Sequence, residues 1–167
     1  MSSFITFWKP NEDNGYLSNW YPCEFQYHNI IFKSSEQAFM YMKAELFGDE
    51  QSMKELINAS DPKLCKEIGR NVFPFDGSLW DREKERFMID VNRYKFRQNH
   101  KLAKMLLATG DAILIEASPY DRVWGAGMTA QQINDPQILC GKNLLGKALM
   151  KVREELANNI PIVKKGN

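Results

Sequence analysis

The chain opens with short apolar bursts separated by polar turns, then settles into longer apolar runs at helical spacing. Residues 4–7, Phe-Ile-Thr-Phe, are β-branched and aromatic and predict a short strand. Trp8-Lys9-Pro10 ends it, and residues 11–15 form a turn cluster. Residues 16–22 are an irregular aromatic segment. Residues 24–27 and 30–33 read as two strands around His28-Asn29, where the tolerance of asparagine for positive φ predicts a tight hairpin. The hairpin delivers the chain to residues 34–44. Ser34 predicts an N-cap there, and Gln37 three residues on completes a capping box. Ala38, Phe39, Met40, Tyr41, Met42, Ala44, Leu46 and Phe47 make this helix apolar almost all round, the pattern of a helix buried inside a domain. It nevertheless carries Glu36 and Lys43. Seven residues are about two turns, so the two charges share nearly one face, roughly 10 Å apart in rise. That is too far for an ordinary surface pair. Two ionisable groups on one stripe of a buried helix need partners, and a cleft supplies them.

Further along, residues 49–59 predict a short helix with Met53, Leu56 and Ile57 inward. Asp61-Pro62 is a cap followed by proline at the first helical position, opening a helix that ends at Gly69-Arg70. Residues 71–77 are a loop rich in Pro and Phe. Ser78 is expected to cap a long helix with Trp80, Phe87, Met88, Val91 and Tyr94 on one face. Asn99 is expected to cap another, with Gly110 as its stop. Residues 112–117, Ala-Ile-Leu-Ile-Glu-Ala, are the best strand signal, and a continuous apolar strand predicts a central, buried position. That strand runs into residues 118–127, a loop carrying both charge and aromatics, where functional groups commonly sit. Residues 129–133 read as one helical turn. Asn143 is expected to cap the last helix, with Leu145, Ala148, Leu149, Val152 and Leu156 at helical spacing. Residues 160–167 read as a tail behind a single domain over residues 1–160.

Composition narrows the function classes. The 167 residues suffice for one domain with a real core. A net charge of +1, from 22 basic and 21 acidic residues, removes any bulk electrostatic case for a polyanion or membrane-surface partner. Lys95, Arg97, Lys101 and Lys104 are accordingly expected to form a solvated helix face. No run approaches the roughly 18 apolar residues of a membrane span, and residues 1–4 show no secretory pattern. Cys23, Cys65 and Cys140 are scattered, and His28 and His100 lie far apart. This argues against a disulfide framework, a metal site or a Ser/His/Asp triad, so the expectation is a cytoplasmic protein with no metal and no cofactor. Gly125-Ala126-Gly127 lacks the third glycine of a dinucleotide fingerprint, and residues 139–143 lack the rest of a P-loop.

Three polar features sit in apolar or aromatic settings. They are Glu36 with Lys43, Asp121-Arg122 beside Tyr120 and Trp124, and Arg70 next to the Phe-rich loop. This inventory suits reactions at a glycosidic carbon. Breaking a C–N bond there develops an oxocarbenium-like cation, which a carboxylate stabilises while an acid protonates the leaving nitrogen. A lysine in an apolar site loses its charge more easily and can serve as base or as amine nucleophile. Arginines bind phosphate in a bidentate way, and aromatic faces stack on a base. The same residues have structural uses too. Glu36 suits a helix N-terminal dipole, Lys43 can snorkel to solvent, Asp121-Arg122 can form a local ion pair, and Arg70 can satisfy helix C-terminal carbonyls. Trp20, Trp80 and Trp124 suit a core as well as a ligand wall.

Several blocks in order carry a family resemblance. They are Asn19-Trp20-Tyr21-Pro22, Ser35-Glu36-Gln37-Ala38-Phe39-Met40, Gly69-Arg70, Glu116-Ala117-Ser118-Pro119-Tyr120-Asp121-Arg122-Val123-Trp124-Gly125 and Gly141-Lys142-Asn143-Leu144-Leu145-Gly146. The chain resembles the YbiA-like, or NADAR, family over roughly residues 4 to 156. The resemblance implies a compact, mainly helical α+β domain with a small sheet or hairpin, and N-glycosidase activity. It implies as substrate a small phosphoribosylated pyrimidine intermediate of riboflavin biosynthesis. Other members remove ADP-ribose from modified guanine, so nucleic acid enters only as a modified substrate. A module that holds ADP-ribose or NAD without turnover is the non-enzyme alternative. Carried over to these positions, Glu36, Lys43 and Asp121 would be catalytic. Trp8, Asn19, Trp20, Arg70, Trp80, Tyr120, Arg122 and Trp124 would bind substrate, with Arg70 and Arg122 toward phosphate. Asn29 stands where the family pattern has glycine, and asparagine adopts the same backbone. No oligomeric state is assigned.

Overall fold

A computed structural model of the chain describes residues 2–159. The tail expected at residues 160–167 lies outside the described residues. The elements in order are β1 (Phe4–Phe7), β2 (Phe25–Tyr27), β3 (Ile30–Phe32), α1 (Ser35–Leu46), α2 (Glu50–Asn58), α3 (Pro62–Arg70), α4 (Gly77–Gln98), α5 (His100–Ala108), β4 (Ile113–Glu116) and α6 (Leu144–Ala157). Single 3-10 turns fall at Gly15–Leu17 and Ala130–Gln132. The result is a mainly helical α+β domain with two small sheets.

The first sheet is a parallel pair of β1 and β4, in register from Phe4 opposite Ile113 to Phe7 opposite Glu116. The second is the β2–β3 hairpin. His28 and Asn29 at its tip both take positive φ, 49° and 62°, the geometry a two-residue hairpin turn demands. β4 is not the centre of a wide sheet. Leu114 and Ile115 are fully buried all the same, because α6 packs against the strand.

Helix α1 is the hub. Every residue from Ser35 to Met42 is buried, and α2, α3 and α4 all pack around it. Ser34 Oγ accepts the Gln37 N–H at 3.2 Å as expected of the cap. The Gln37 side chain reaches one residue further back, accepting the Lys33 N–H at 2.7 Å, while its Nε2 donates to Leu56 O at 2.8 Å. So the glutamine ties the hairpin, α1 and α2 together instead of closing a simple capping box. Gly69 lets α3 lie close on α1, where a side-chain carbon would meet the Met40 thioether.

Four local expectations are corrected. Asp76, not Ser78, caps α4: its Oδ1 accepts the N–H groups of Ser78 and Leu79 at 2.9 and 3.2 Å. Asn99 and Asn143 precede helices but do not cap them with their side chains. Asn99 Nδ2 donates back to Lys95 O and Glu24 O. Asn143 serves β4, as described below. Lys95 does not belong to a solvated face. It is fully buried, and its Nζ donates to Tyr16 O at 2.7 Å and Ser18 O at 3.1 Å.

Candidate active site

The residues that meet around one cavity come from seven parts of the chain. The loop after the Gly15–Leu17 turn supplies Ser18, Asn19 and Trp20. Helix α1 supplies Glu36, Phe39, Met40 and Lys43. Helix α3 supplies Lys66, Gly69 and Arg70, and α4 supplies Trp80 and Met88. Glu116 stands at the end of β4, Asp121 and Trp124 in the loop beyond it, and Leu145 in α6. They enclose a cavity of about 200 Å³. Pockets for drug-sized ligands run from about 300 to 1,000 Å³, so this one suits a pentose-sized group with larger substituents at its mouth.

The loop wall is rigid for a backbone reason. The N-terminal turn of α6 has N–H groups with no partner inside the helix. Leu144 and Leu145 donate theirs to Val123 O and Trp124 O, and Lys142 N and Asn143 N donate to Arg122 O and Gly125 O. Asp121 closes the turn from its own side, its Oδ1 accepting the N–H groups of Val123 and Trp124 at 2.9 Å each. No Asp121–Arg122 ion pair forms among the described residues. Trp124 stands edge-on to Phe39 at 5.2 Å, and Trp80 leans on the same ring at 5.3 Å. One phenylalanine of α1 thus sets both tryptophans.

Glu36 sits in the first turn of α1, 8% exposed, and its side chain has no hydrogen bond or ion pair among the described residues. Burial above all pushes its carboxyl up, to about 7. Asp121 adds to the rise, while Lys66, Arg70 and Lys43 oppose it. Lys43 is half-buried. Its Nζ donates to Gly69 O at 2.8 Å and lies 5.0 Å and 5.3 Å from the rings of Phe75 and Trp80. Burial lowers its pKa, and the Glu36 charge works the other way. The cavity therefore holds an acid pushed toward neutrality and an amine that sheds its proton more readily than usual.

Of the residues expected to act, Glu36, Lys43, Asp121, Asn19, Trp20, Arg70, Trp80 and Trp124 line this one cavity. Trp8, Tyr120 and Arg122 do not. Trp8 and Tyr120 pair with each other at 6.2 Å on the surface, with Tyr120 88% exposed, and Arg122 is exposed. Two charged residues of the lining were not singled out from sequence. Lys66 lies one helical turn before Arg70, a like-charge pair on one face that hinted at an anion. Glu116 is the one charge in the apolar run over residues 112–117, which was its signal. Three carboxyls (Glu36, Glu116, Asp121) and three cations (Lys43, Lys66, Arg70) thus face the cavity, and among the described residues none of the six forms an ion pair with another. The described residues hold no group of three or more His, Cys, Asp or Glu side chains placed to hold a metal ion. No helix among them is long and apolar enough to cross a membrane.

Comparison with known proteins gives the same frame. The NADAR domain family matches residues 6–157. An N-glycosidase of Acanthamoeba polyphaga mimivirus is 45% identical over 146 residues, 83% of this chain and 86% of that protein. N-glycosidase YbiA of Escherichia coli is 32% identical over 155 residues, covering 93% of this chain and 89% of the relative. A riboflavin biosynthesis protein of Vibrio vulnificus is 34% identical, and the match spans 41% of its length. The NMR structure of E. coli YbiA superposes with a TM-score of 0.79 at 30% identity, over 95% of this chain and 88% of that one.

Proposed function

The chain belongs to the NADAR family, and we propose that it is an N-glycosidase, a hydrolase of N-glycosyl compounds, whose cavity takes the ribose of a phosphoribosylated pyrimidine. The observation that carries this reading is Glu36: a buried carboxyl held at about 7 in the same cavity as the half-buried amine of Lys43. An acid whose pKa lies near the working pH is suited to proton transfer. Glu36 gives its proton to the leaving nitrogen, and the C–N bond breaks with its electron pair going to the base. Asp121, fixed by two backbone N–H groups, answers the positive charge left on the sugar. Lys43 Nζ then bonds to the anomeric carbon. The ammonium so formed gives one proton to the Glu36 carboxylate and one to the ring oxygen as the bond from the anomeric carbon to that oxygen breaks and the ring opens to an imine, and water adds across the imine to release the sugar and restore the amine.

Binding follows from the remaining lining. Lys66 and Arg70, one turn apart on α3, take the phosphate. Trp20, Trp80 and Trp124 flank the sugar, with Asn19 on the near wall. The choice of a small pyrimidine is supported by the relative named for riboflavin biosynthesis and by a cavity little larger than a pentose.

The test is product analysis by mass spectrometry. Ribose 5-phosphate is expected from the phosphoribosylated aminopyrimidine, and none from Glu36→Gln. Borohydride added during turnover should fix the sugar on Lys43, and Lys43→Ala should stop turnover. Wild-type turnover in Lys43→Ala without trapped mass would remove the covalent step. Release of ADP-ribose from modified guanine in an oligonucleotide, with no cleavage of the small pyrimidine, would replace the substrate.

A further inference from the structure

The main chain of Glu116 is bonded on both sides. Its N–H donates to the buried Asn143 Oδ1 at 3.0 Å, its carbonyl accepts the Ala126 N–H at 2.8 Å, and it stands opposite Phe7 in the β1–β4 pair. The side chain faces the cavity with no freedom of the strand behind it. Oε2 is shut away from solvent with no hydrogen-bond donor. An ionised carboxylate here would leave its charge unanswered, at a cost that protonation avoids.

We propose that Glu116 is a further substrate-binding acid of this site: it meets the substrate as a neutral carboxylic acid and donates a hydrogen bond to a hydroxyl of the sugar. This rests on the glycosidase reading above. The surrounding charges agree with it. Glu36 and Lys43 face the cavity from α1, Lys66 and Arg70 from α3, and Asp121 from the loop, while β1 sets the uncharged Phe7 opposite Glu116 and the residue before α6, Asn143, bonds its main chain. Burial first, then the charges of Asp121 and Glu36, hold the Glu116 carboxyl up at about 8, with Lys66 pulling the other way. Glu116 therefore keeps its proton through the neutral range in which Glu36 exchanges its own. The O–H sits on Oε1, the oxygen not shut away from solvent, and donates to the sugar hydroxyl, while Oε2 stays behind as the uncharged carbonyl oxygen.

The isosteric amide separates this role from its rivals. Glu116→Gln keeps a donor and an acceptor, so its kcat/KM at pH 7 should fall less than that of Glu116→Ala. The fall in rate above pH 7 should then follow one proton fewer. Glu116→Ala should raise KM and lower kcat/KM by about 10- to 100-fold, and this loss should vanish against the deoxy-sugar analogue that lacks the hydroxyl it holds. A Glu116→Gln enzyme as inactive as Glu36→Gln, or a wild-type Glu116→Ala enzyme, would overturn the proposal. So would an equal loss on every deoxy analogue. A second readout needs no turnover. In Glu36→Gln protein at pH 6, low enough to allow for the lost Glu36 charge, the infrared carbonyl band of a neutral carboxylic acid should be present, and should disappear when Glu116→Gln is added. Absence of the band overturns the neutral acid even in an active enzyme. Failure of the wild type to cleave any N-ribosyl compound would sink the glycosidase reading and the sugar contact together, leaving the band to report the proton alone.

Discussion

A carboxyl whose pKa is raised on folding binds its proton more tightly in the folded chain than in the unfolded one. Glu36 rises from an ordinary 4.5 to about 7. Between those values the folded state holds more protons, so stability falls as pH rises through the window, and the full deficit is present above pH 7. Glu36→Gln removes the charge and keeps the shape. It is expected to abolish turnover and to raise unfolding stability at pH 8 by on the order of 2 kcal/mol, with little change at pH 4. Urea denaturation at the two pH values checks this, and equal destabilisation at both would show that the buried carboxyl is not held charged at a cost. Lys43 carries the mirror-image tension. Its amine is lowered by burial, yet the Gly69 carbonyl still holds it. Lys43→Met should therefore lose activity while leaving the thermal transition within a few degrees of wild type, since a half-buried cation gives way to an apolar side chain of similar reach. Calorimetry beside the activity assay decides it.

Between elements, the joint that matters most to the site is Asn143. It stands at φ 52°, a backbone region asparagine tolerates. Its Nδ2 donates to Leu114 O at 2.9 Å while its Oδ1 accepts from Glu116 N. One side chain thus completes the free edge of β4 and fixes where Glu116 stands. Gly146, a turn further on, lets α6 approach; a methyl there would run into the Leu114 carbonyl oxygen. Asn143→Gly keeps the backbone conformation and leaves two buried backbone groups without partners, an expected loss of about 2–4 kcal/mol. Asn143→Ala should lose roughly 1 kcal/mol more through its positive φ. Urea titration of both variants separates side-chain bonding from backbone strain, and equal losses would remove the strain contribution. This joint also shows why element boundaries were legible and some of their causes were not. The Ser34 and Asp61 caps bond to residues two or three positions ahead, so local chemistry predicts them. Asn143 sits where a cap belongs, but its partners are 27 and 29 positions back on a strand. Asp76 against Ser78 was a contest between two competent caps two residues apart, which spacing alone does not decide.

Across the whole molecule, a charge breaking an apolar pattern marked Glu36 and Lys43 on a helix and went unread at Glu116 on a strand, and a charge satisfied far away was illegible. Glu36 and Lys43 stood out on a buried helix. Lys95 lay among Arg97, Lys101 and Lys104 and read as surface, yet its carbonyl partners at Tyr16 and Ser18 are 79 and 77 positions distant. Through them α4 pins the loop that gives the cavity Ser18 and Asn19. No carboxylate pairs with Lys95 among the described residues; it lies over the rings of Tyr21 and Phe96 at 5.7 and 5.1 Å. Burial lowers its pKa from 10.5 to about 8, with Cys23 alone pulling it back up. The unfolded chain therefore holds the extra proton between pH 8 and 10.5, and this group makes stability rise with pH across that window. Cys23 and Cys65 act in the opposite sense. Burial raises both thiols, so the folded chain keeps protons that the unfolded chain releases. The pH curve of the wild type alone mixes these effects. The difference between wild type and Lys95→Met, both carrying Cys23→Ala, isolates the lysine. That difference should shift in favour of the wild type by up to about 1.4 kcal/mol per pH unit between pH 8 and 10. It should be flat between pH 6 and 7, where Lys95 is charged in both states. A difference flat throughout would mean that the buried lysine keeps its ordinary proton affinity, with the two carbonyls and two rings answering its charge in full.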